Sequence, residues 1–366
     1  MSFAYPYQPT AVVRARCRGL RFVLASLVVA AVSSSTEAAL AASGDREICE
    51  SARVDDAIAA CTRLIDDGRA QGTALGQLYY KRGAAYLAKY QRVPGLADID
   101  RAIELKPDLA EAYIARARAN GFNNHDKERL KRVLADYTKA IDLKPDNYEA
   151  FYYRGTFNDW QKSYDAALAD YNRALEIKPD DIKTLHMRSR LYQHIGEYER
   201  ALADCEALVR LDPWEDRLLH RGAAYVAVGD YARALADYDA YERRKPGGPS
   251  IHSGRAAAFD AKGDYERALS EYNEAIRIAP NVVGLYSARA WTYYKLGRFA
   301  EGLADVDQVL AAGWKSSAHT YSVRGHILEA MGRKAVAITD LATALWLDPG
   351  KRTRDRIVVA LERLGG

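Results

Sequence analysis

Proline recurs along this sequence at nearly constant intervals, and that spacing limits the fold more than any other feature. The marks are Pro107, Pro145, Pro179, Pro213, Pro246, Pro280, Trp314 and Pro349. They lie 38, 34, 34, 33, 34, 34 and 35 residues apart. Periods of about 20 to 50 residues indicate an array of one repeated supersecondary unit. The chain is therefore predicted to be an array and not a set of ordinary globular domains.

Each interval contains two amphipathic segments with apolar residues at helical spacing, separated by a turn that often holds glycine. In the stretch GDYARALADYDAYERRKP, residues 229–246, Gly229 begins the second segment and Pro246 ends it. Small residues recur 24 and 12 positions before each mark, and Tyr238 and its equivalents follow the second small residue by four. Facing small residues let two helix axes approach closely, and proline ends the second helix. Each unit is therefore predicted to be a helix hairpin.

This pattern resembles the tetratricopeptide repeat (TPR): small residues at repeat positions 8 and 20, aromatics at 11 and 24, and proline at 32. The resemblance covers residues 76–349 as eight repeats, with local departures at Asn120, Val133 and Asn158. It implies an all-α solenoid, a right-handed superhelix of hairpins that stack on their neighbours. Such arrays need polar end caps. We expect a divergent N-terminal helical unit at 42–75 and a C-terminal capping helix at 350–366.

Residues 1–41 resemble a secretory signal peptide. Arg14, Arg16, Arg18 and Arg21 precede an apolar run, and small residues follow it. A membrane anchor is the alternative, but the apolar run is shorter than the roughly 20 residues that span a bilayer as a helix. We expect export to the periplasm and no membrane span in the mature chain. Without 1–41 the formal charge falls from +4 to +1, which gives no electrostatic argument for nucleic acid.

The expected export to an oxidising compartment favours a disulfide between cysteines of the mature chain. Cys49 and Cys61 fall on adjacent helices of the predicted N-terminal unit, and similar segments occur in exported bacterial TPR proteins. We expect a disulfide between them, with two buried thiols as the alternative. Cys205 occupies an apolar repeat position, which favours a buried thiol.

Every repeat carries Arg at position 7 and an acid at position 23. The arginines are Arg82, Arg116, Arg154, Arg188, Arg221, Arg255, Arg289 and Arg324; the acids are Asp98, Asp136, Asp170, Asp204, Asp237, Glu271, Asp305 and Asp340. Both positions lie near the seam between the helices. We expect them to pair, within a repeat or across to the next one, as a structural ion-pair ladder; the alternative is a row of arginines that binds a polyanion or successive carboxylates.

The sequence contains few features that indicate catalysis or metal binding. It contains no phosphate loop, HExxH motif, paired CxxC or nucleophile elbow. His319, His326 and Glu329 share one helical face, but nothing orients them as metal ligands. We expect no catalytic residue, no metal and no cofactor, and therefore no enzyme.

The resemblance places partner segments along the first helices of the hairpins, at positions 2, 5, 6, 9, 12 and 13. In this sequence the candidate groove residues are Tyr152, Tyr153, Trp160, His186, Met187, Arg190, His194, Trp291 and Tyr294. The basic pattern by which some TPR proteins hold chaperone tails is absent from the first two repeats. The predicted function is a non-catalytic scaffold in the cell envelope for an extended peptide or protein segment. The alternatives are a carbohydrate-binding or regulatory subunit of an envelope enzyme complex, and self-association through an end of the solenoid.

Overall fold

A computed structural model of the chain describes residues 43–49, 53–121, 126–314 and 317–365. The expected signal peptide lies outside these residues. Within them no residue lies in a strand, and successive helices are in contact within residues 53–146 and within residues 147–365. The chain is thus an all-α solenoid of helix hairpins.

Residues 43–49 are helical and are termed α1. The helices of the N-terminal unit and of repeats one to four are α2 (Val54–Asp66), α3 (Gly72–Ala88), α4 (Arg92–Leu105), α5 (Ala110–Gly121), α6 (Lys127–Leu143), α7 (Tyr148–Trp160), α8 (Tyr164–Ile177), α9 (Ile182–Ile195) and α10 (Tyr198–Leu211). Those of repeats five to eight and the C-terminus are α11 (Glu215–Val228), α12 (Tyr231–Arg244), α13 (Pro249–Lys262), α14 (Tyr265–Ile278), α15 (Val283–Lys295), α16 (Phe299–Ala311), α17 (Ala318–Ala330), α18 (Lys334–Trp346) and α19 (Lys351–Leu364).

The chain divides into two compact units, residues Met1–Asp146 and Asn147–Gly366. The described part of unit 1 contains the N-terminal helices and repeats one and two. Unit 2 contains repeats three to eight and α19. Helices α12 and α13 are in contact, so the repeats of unit 2 stack on one another across the glycine-containing loop at 245–250.

In the third and fifth repeats the hairpin closes around a glycine that faces a tyrosine ring. A Cβ atom on Gly222 would lie 2.7 Å from Tyr238, and one on Gly155 would lie 2.8 Å from Tyr171. Both tyrosines are almost fully buried. Because there is no room for a side chain, glycine at position 8 fixes how closely the two helices approach. The turn needs glycine for another reason, since Gly229 has a φ of 86°, which side chains rarely tolerate.

In seven of the eight repeats the ladder arginine hydrogen-bonds the acid of its own repeat. Arg221 is representative, because it donates two hydrogen bonds to Asp237 at 2.8 and 2.7 Å. The other pairs are Arg82–Asp98, Arg116–Asp136, Arg154–Asp170, Arg188–Asp204, Arg289–Asp305 and Arg324–Asp340. The acids are nearly buried and the arginines half-buried, so these are not solvent-screened surface pairs.

Several ladder arginines also contact the second helix of the preceding repeat, at position 25. Arg188 donates to Asn172 at 2.8 Å, and Arg289 donates to Asn273 at 2.7 Å. Arg116 contacts Asp100 and Arg324 contacts Asp307 in the same way. One guanidinium therefore links two hairpins as well as two helices, a role that the sequence pattern at positions 7 and 23 did not indicate.

The sixth repeat departs from the predicted pairing. Arg255 contacts Asp239 and Glu242 of the preceding repeat, both at 2.5 Å, and not Glu271. Glu242 stands where other repeats carry an apolar residue, so it supplies an additional carboxylate for the arginine. Glu271 instead lies 2.7 Å from His252 Nδ1.

The expected disulfide joins Cys49 to Cys61, with the sulfur atoms 2.03 Å apart. Both cysteines are buried together with Ala60 and Leu64, and α2 packs on α3 of the first repeat. Cys205 is a buried free thiol, as its apolar repeat position indicated.

Candidate functional site

The candidate site lies on the first helices of the hairpins in unit 2. Contacts between α7 and α9, α11 and α13, α13 and α15, and α15 and α17 place these helices side by side. The nine predicted groove residues all lie on α7, α9 or α15. We call the surface formed by the first helices of unit 2 the groove face.

The third repeat contributes three aromatic side chains to the groove face. The rings of Tyr152 and Tyr153 meet edge to face, with centroids 5.0 Å apart, and both are half-buried. Tyr152 packs on the core around Ala167 and Tyr171. Trp160 at the end of α7 is 36% exposed. Of these three aromatics, Trp160 is therefore the most accessible to a partner.

The fourth repeat carries imidazoles and an exposed guanidinium. His186 meets His220 of the fifth repeat edge to face at 4.9 Å. Burial, then His220, Arg217 and Arg190, lower the pKa of His186 to about 4. Its Nδ1 atom is shielded from water and has no hydrogen-bond partner. The imidazole is thus neutral near pH 7 and retains an unused polar atom.

Arg190 lies next to these imidazoles and is exposed. One of its nitrogens lies 3.9 Å from the sulfur of Met187. Burial raises the pKa of the Asp159 carboxyl against the opposing influence of Arg190 and His194. The third and fourth repeats thus present an accessible cation beside aromatic and carboxyl groups.

In the seventh repeat, Trp291 and Tyr294 stack with ring centroids 5.0 Å apart. Both pack on the core around Val306 and Ile327. The guanidinium carbon of Arg356, on α19, lies 4.4 Å from the centroid of the Trp291 ring. The two rings predicted for the groove are therefore brought together, but they are half-buried and partly covered by the C-terminal helix.

The segment that begins at Asp348 also contacts the third and fourth repeats. The Tyr164 hydroxyl donates to Asp348 at 2.5 Å. Lys162 and His194 Nε2 approach the same carboxylate at 3.4 and 3.8 Å. These contacts join residues almost two hundred positions apart in the sequence. We call residues 348–356 the C-terminal strap.

The strap continues past the turns of the fourth and fifth repeats. Lys351 packs against Gly196, where any Cβ atom would lie 2.6 Å from the lysine Cδ. Arg352 donates to the Ala227 carbonyl at 2.9 Å, and its guanidinium carbon lies 4.8 Å from the Tyr198 ring centroid. The strap thus runs from the third repeat to the Trp291 ring along the hairpin turns.

The rest of α19 packs on the last hairpin. Ile357, Ala360 and Leu364 are buried against Leu328 and Leu341 of the last repeat. The strap was not predicted from the sequence. The sequence signal is weak: Asp348 stands where four earlier repeats carry Lys before the proline, but Asp212 stands at the same place in the fourth repeat. In the structure Asp348 has a φ of 62°, where non-glycine residues are uncommon.

The described residues hold no group of three or more His, Cys, Asp and Glu side chains that could bind a metal ion. His319 and His326 both lie near Arg356, and their pKa values are lowered mainly by burial. Among the described helices, none combines the length and the apolar character that crossing a membrane requires.

Comparisons with known proteins agree with this geometry. Family models described as tetratricopeptide repeat match residues 126–182 and 219–282, and a further one matches 182–213. No curated protein matches the sequence significantly.

Solved structures are also similar to the chain. A tetratricopeptide repeat protein from Parabacteroides merdae is 26% identical, covers 70% of this chain and 99% of its own, and gives a TM-score of 0.59. Pseudomonas aeruginosa pilF is 18% identical, covers 59% of this chain and 96% of its own, and gives a TM-score of 0.48. Taken with the recurring hairpins, the family-model matches show that residues 126–213 and 219–282 are tetratricopeptide repeats.

Proposed function

We propose that this protein is a non-catalytic scaffold that binds an extended segment of a protein partner on the groove face of unit 2. Tetratricopeptide repeat proteins in general are protein-interaction scaffolds, and solenoids use such surfaces for binding. The observations that carry the proposal are the exposed Trp160 and Arg190 side chains on α7 and α9, and the shielded Nδ1 of His186 near Arg190, for which the described residues supply no hydrogen-bond partner. Trp and Arg are the residue types that most often dominate binding energy at interfaces.

The groove face suits a polypeptide because it alternates aromatic, cationic and carboxyl groups along successive helices. Because a rigid scaffold is already ordered, the conformational entropy lost on binding is mainly that of the partner. We further propose that binding takes place in the cell envelope. The Cys49–Cys61 disulfide supports this location, because such bonds persist in oxidising compartments.

Carbohydrate binding is the less favoured alternative. Sugar rings stack on flat, open aromatic faces that lie beside carboxylates. Trp160 next to Asp159 has this character, whereas Trp291 has Arg356 over its ring. A single accessible ring gives little surface for an oligosaccharide.

The test is affinity capture from a periplasmic extract on the purified protein, with variants matched by type and exposure. Trp160→Ala and Arg190→Ala alter the groove face. Trp214→Ala removes a more exposed tryptophan from a linker, and Arg173→Ala removes an exposed arginine from the second helix of its hairpin. We expect the first two changes to remove partners that the last two retain. Equal retention by all four variants would refute the groove.

A further inference from the structure

Arg356 is a partly buried cation to which no carboxylate of the described residues is bonded. It is half-buried on α19, and its Nε atom is shielded and has no hydrogen-bond partner among those residues. One terminal nitrogen donates to the Thr353 hydroxyl at 3.3 Å. The paired ladder arginines differ, because each donates to a nearly buried carboxylate. A buried charge is normally paired, so an arginine left in this state calls for an explanation.

The surroundings of Arg356 are richer in cations than in anions. Lys295 Nζ lies 5.4 Å from the centroid of the same Trp291 ring, and Arg352 lies nearby. Burial, followed by the charge of Arg352, lowers the pKa of Arg356. Asp260 opposes this effect, and its carboxylate accepts the Thr292 hydroxyl at 2.9 Å. The described side chains therefore leave a surplus of positive charge at this point.

We propose that Arg356, held on the Trp291 ring, binds the carboxylate of an acidic side chain of the partner segment. The site is made by three elements: α13 supplies Asp260, α15 supplies the ring and Lys295, and the strap supplies the guanidinium. A carboxylate matches the planar donor fork of arginine. A phosphate shares this chemistry, and the experiment below distinguishes the two. This inference rests on the proposed function, since it assigns one subsite on the groove face.

The probes are three libraries of ten-residue peptides, randomised except for a fixed fifth residue that is Glu, Gln or phosphoserine. Binding to the full chain is compared with binding to Arg356→Met and Arg363→Met. The second variant is the matched control, because Arg363 lies near the other end of α19 and pairs with Glu329.

A hydrogen bond from arginine to a charged carboxylate is roughly twice as strong as one to a neutral amide. We therefore expect the dissociation constant of the Glu library to be at least about tenfold lower than that of the Gln library. The preference should disappear in Arg356→Met and remain in Arg363→Met. Binding without a Glu preference, a preference that survives in Arg356→Met, or tighter binding of the phosphoserine library would each overturn the carboxylate site while leaving the scaffold function intact. Failure of every library to bind would count against both.

Thermal unfolding separates a binding role from a structural one. If Arg356 serves a partner, replacing this uncompensated charge with Met leaves Tm unchanged or raises it by a few degrees, because apolar replacements of buried charges are often neutral or stabilising. A clear fall in Tm for Arg356→Met, similar to that for Arg221→Met in the ladder, would contradict the inference.

Discussion

The Tyr164 hydroxyl of the third repeat donates a hydrogen bond to the Asp348 carboxylate, which lies just beyond the last hairpin. Lys162 and Arg354 bind the same carboxylate. The two ends of unit 2 are therefore linked through one acidic side chain, and the strap lies along the hairpin turns between them. Any partner that occupies the groove face near Trp291 meets this strap.

Replacing Asp348 with Ala is expected to loosen the strap without unfolding the hairpins. The change removes the acceptor for Tyr164 and the partner of Lys162 and Arg354. We expect the amides of residues 348–356 to exchange with deuterium about tenfold faster, as measured by mass spectrometry, while exchange in α8 and α9 stays slow. Asp355→Ala is the control, because Asp355 is exposed and pairs with Lys351. Unchanged exchange in Asp348→Ala would show that the polar contacts do not hold the strap.

The ion-pair ladder predicts that removing the position-23 acid lowers Tm more in the fifth repeat than in the sixth. Asp237 is nearly buried and accepts two hydrogen bonds from Arg221. Removing one partner of a buried pair strands the other charge and costs about 3 kcal/mol. Asp237→Ala should therefore lower Tm by several degrees, measured by circular dichroism. Glu271→Ala should lower it less, since Glu271 pairs with His252 and the ladder arginine Arg255 pairs with Asp239 and Glu242. Equal losses would disprove the distinction.

Unit 2 is expected to lose stability as the pH falls from about 6.5 to about 4. The folded pKa of His186 is lowered to about 4, mainly by burial, whereas an unfolded histidine takes up a proton below about pH 6.5. His220, His319 and His326 are shifted in the same direction. The raised pKa values of Asp159 and Asp260 act in the opposite sense, because these carboxyls take up protons earlier in the folded state.

The four histidines with lowered pKa values outnumber the two carboxyls with raised pKa values. We therefore expect Tm to be lower at pH 5 than at pH 7. His186→Gln should reduce that difference, because glutamine does not titrate. A Tm that rises on acidification would show that the carboxyls dominate.

The disulfide predicts a redox dependence confined to the N-terminal helices. Closing a loop of this length stabilises by about 3 kcal/mol in the chain-entropy account. Reduction with dithiothreitol should increase deuterium exchange in α2 and leave α14 unchanged. A Cys61→Ser variant should exchange like the reduced protein under either condition. Identical exchange in the oxidised and reduced protein would mean that the bond contributes nothing to this region.

The sequence predicted the parts of the structure that repeat. The 34-residue period predicted the hairpins, and the small residue at position 8 indicated the close contact of Gly222 with Tyr238. The disulfide was predicted from the placement of Cys49 and Cys61 on adjacent helices. It did not predict the pairing of Arg255, because Glu242 breaks the pattern at one site. It also missed the strap, since the meeting of Asp348 with Tyr164 depends on where six stacked hairpins bring the two ends of unit 2. The exposure of Trp291 depends in turn on the strap.

The central claim is that a partner segment lies on the groove face of unit 2. The most direct test is deuterium exchange of the full chain with and without a peptide selected from the ten-residue libraries. The account predicts that protection on binding falls on α7, α9 and α15, and is absent when Arg190→Ala and Trp160→Ala are combined. Protection confined to the second helices of the hairpins, or to unit 1, would contradict it.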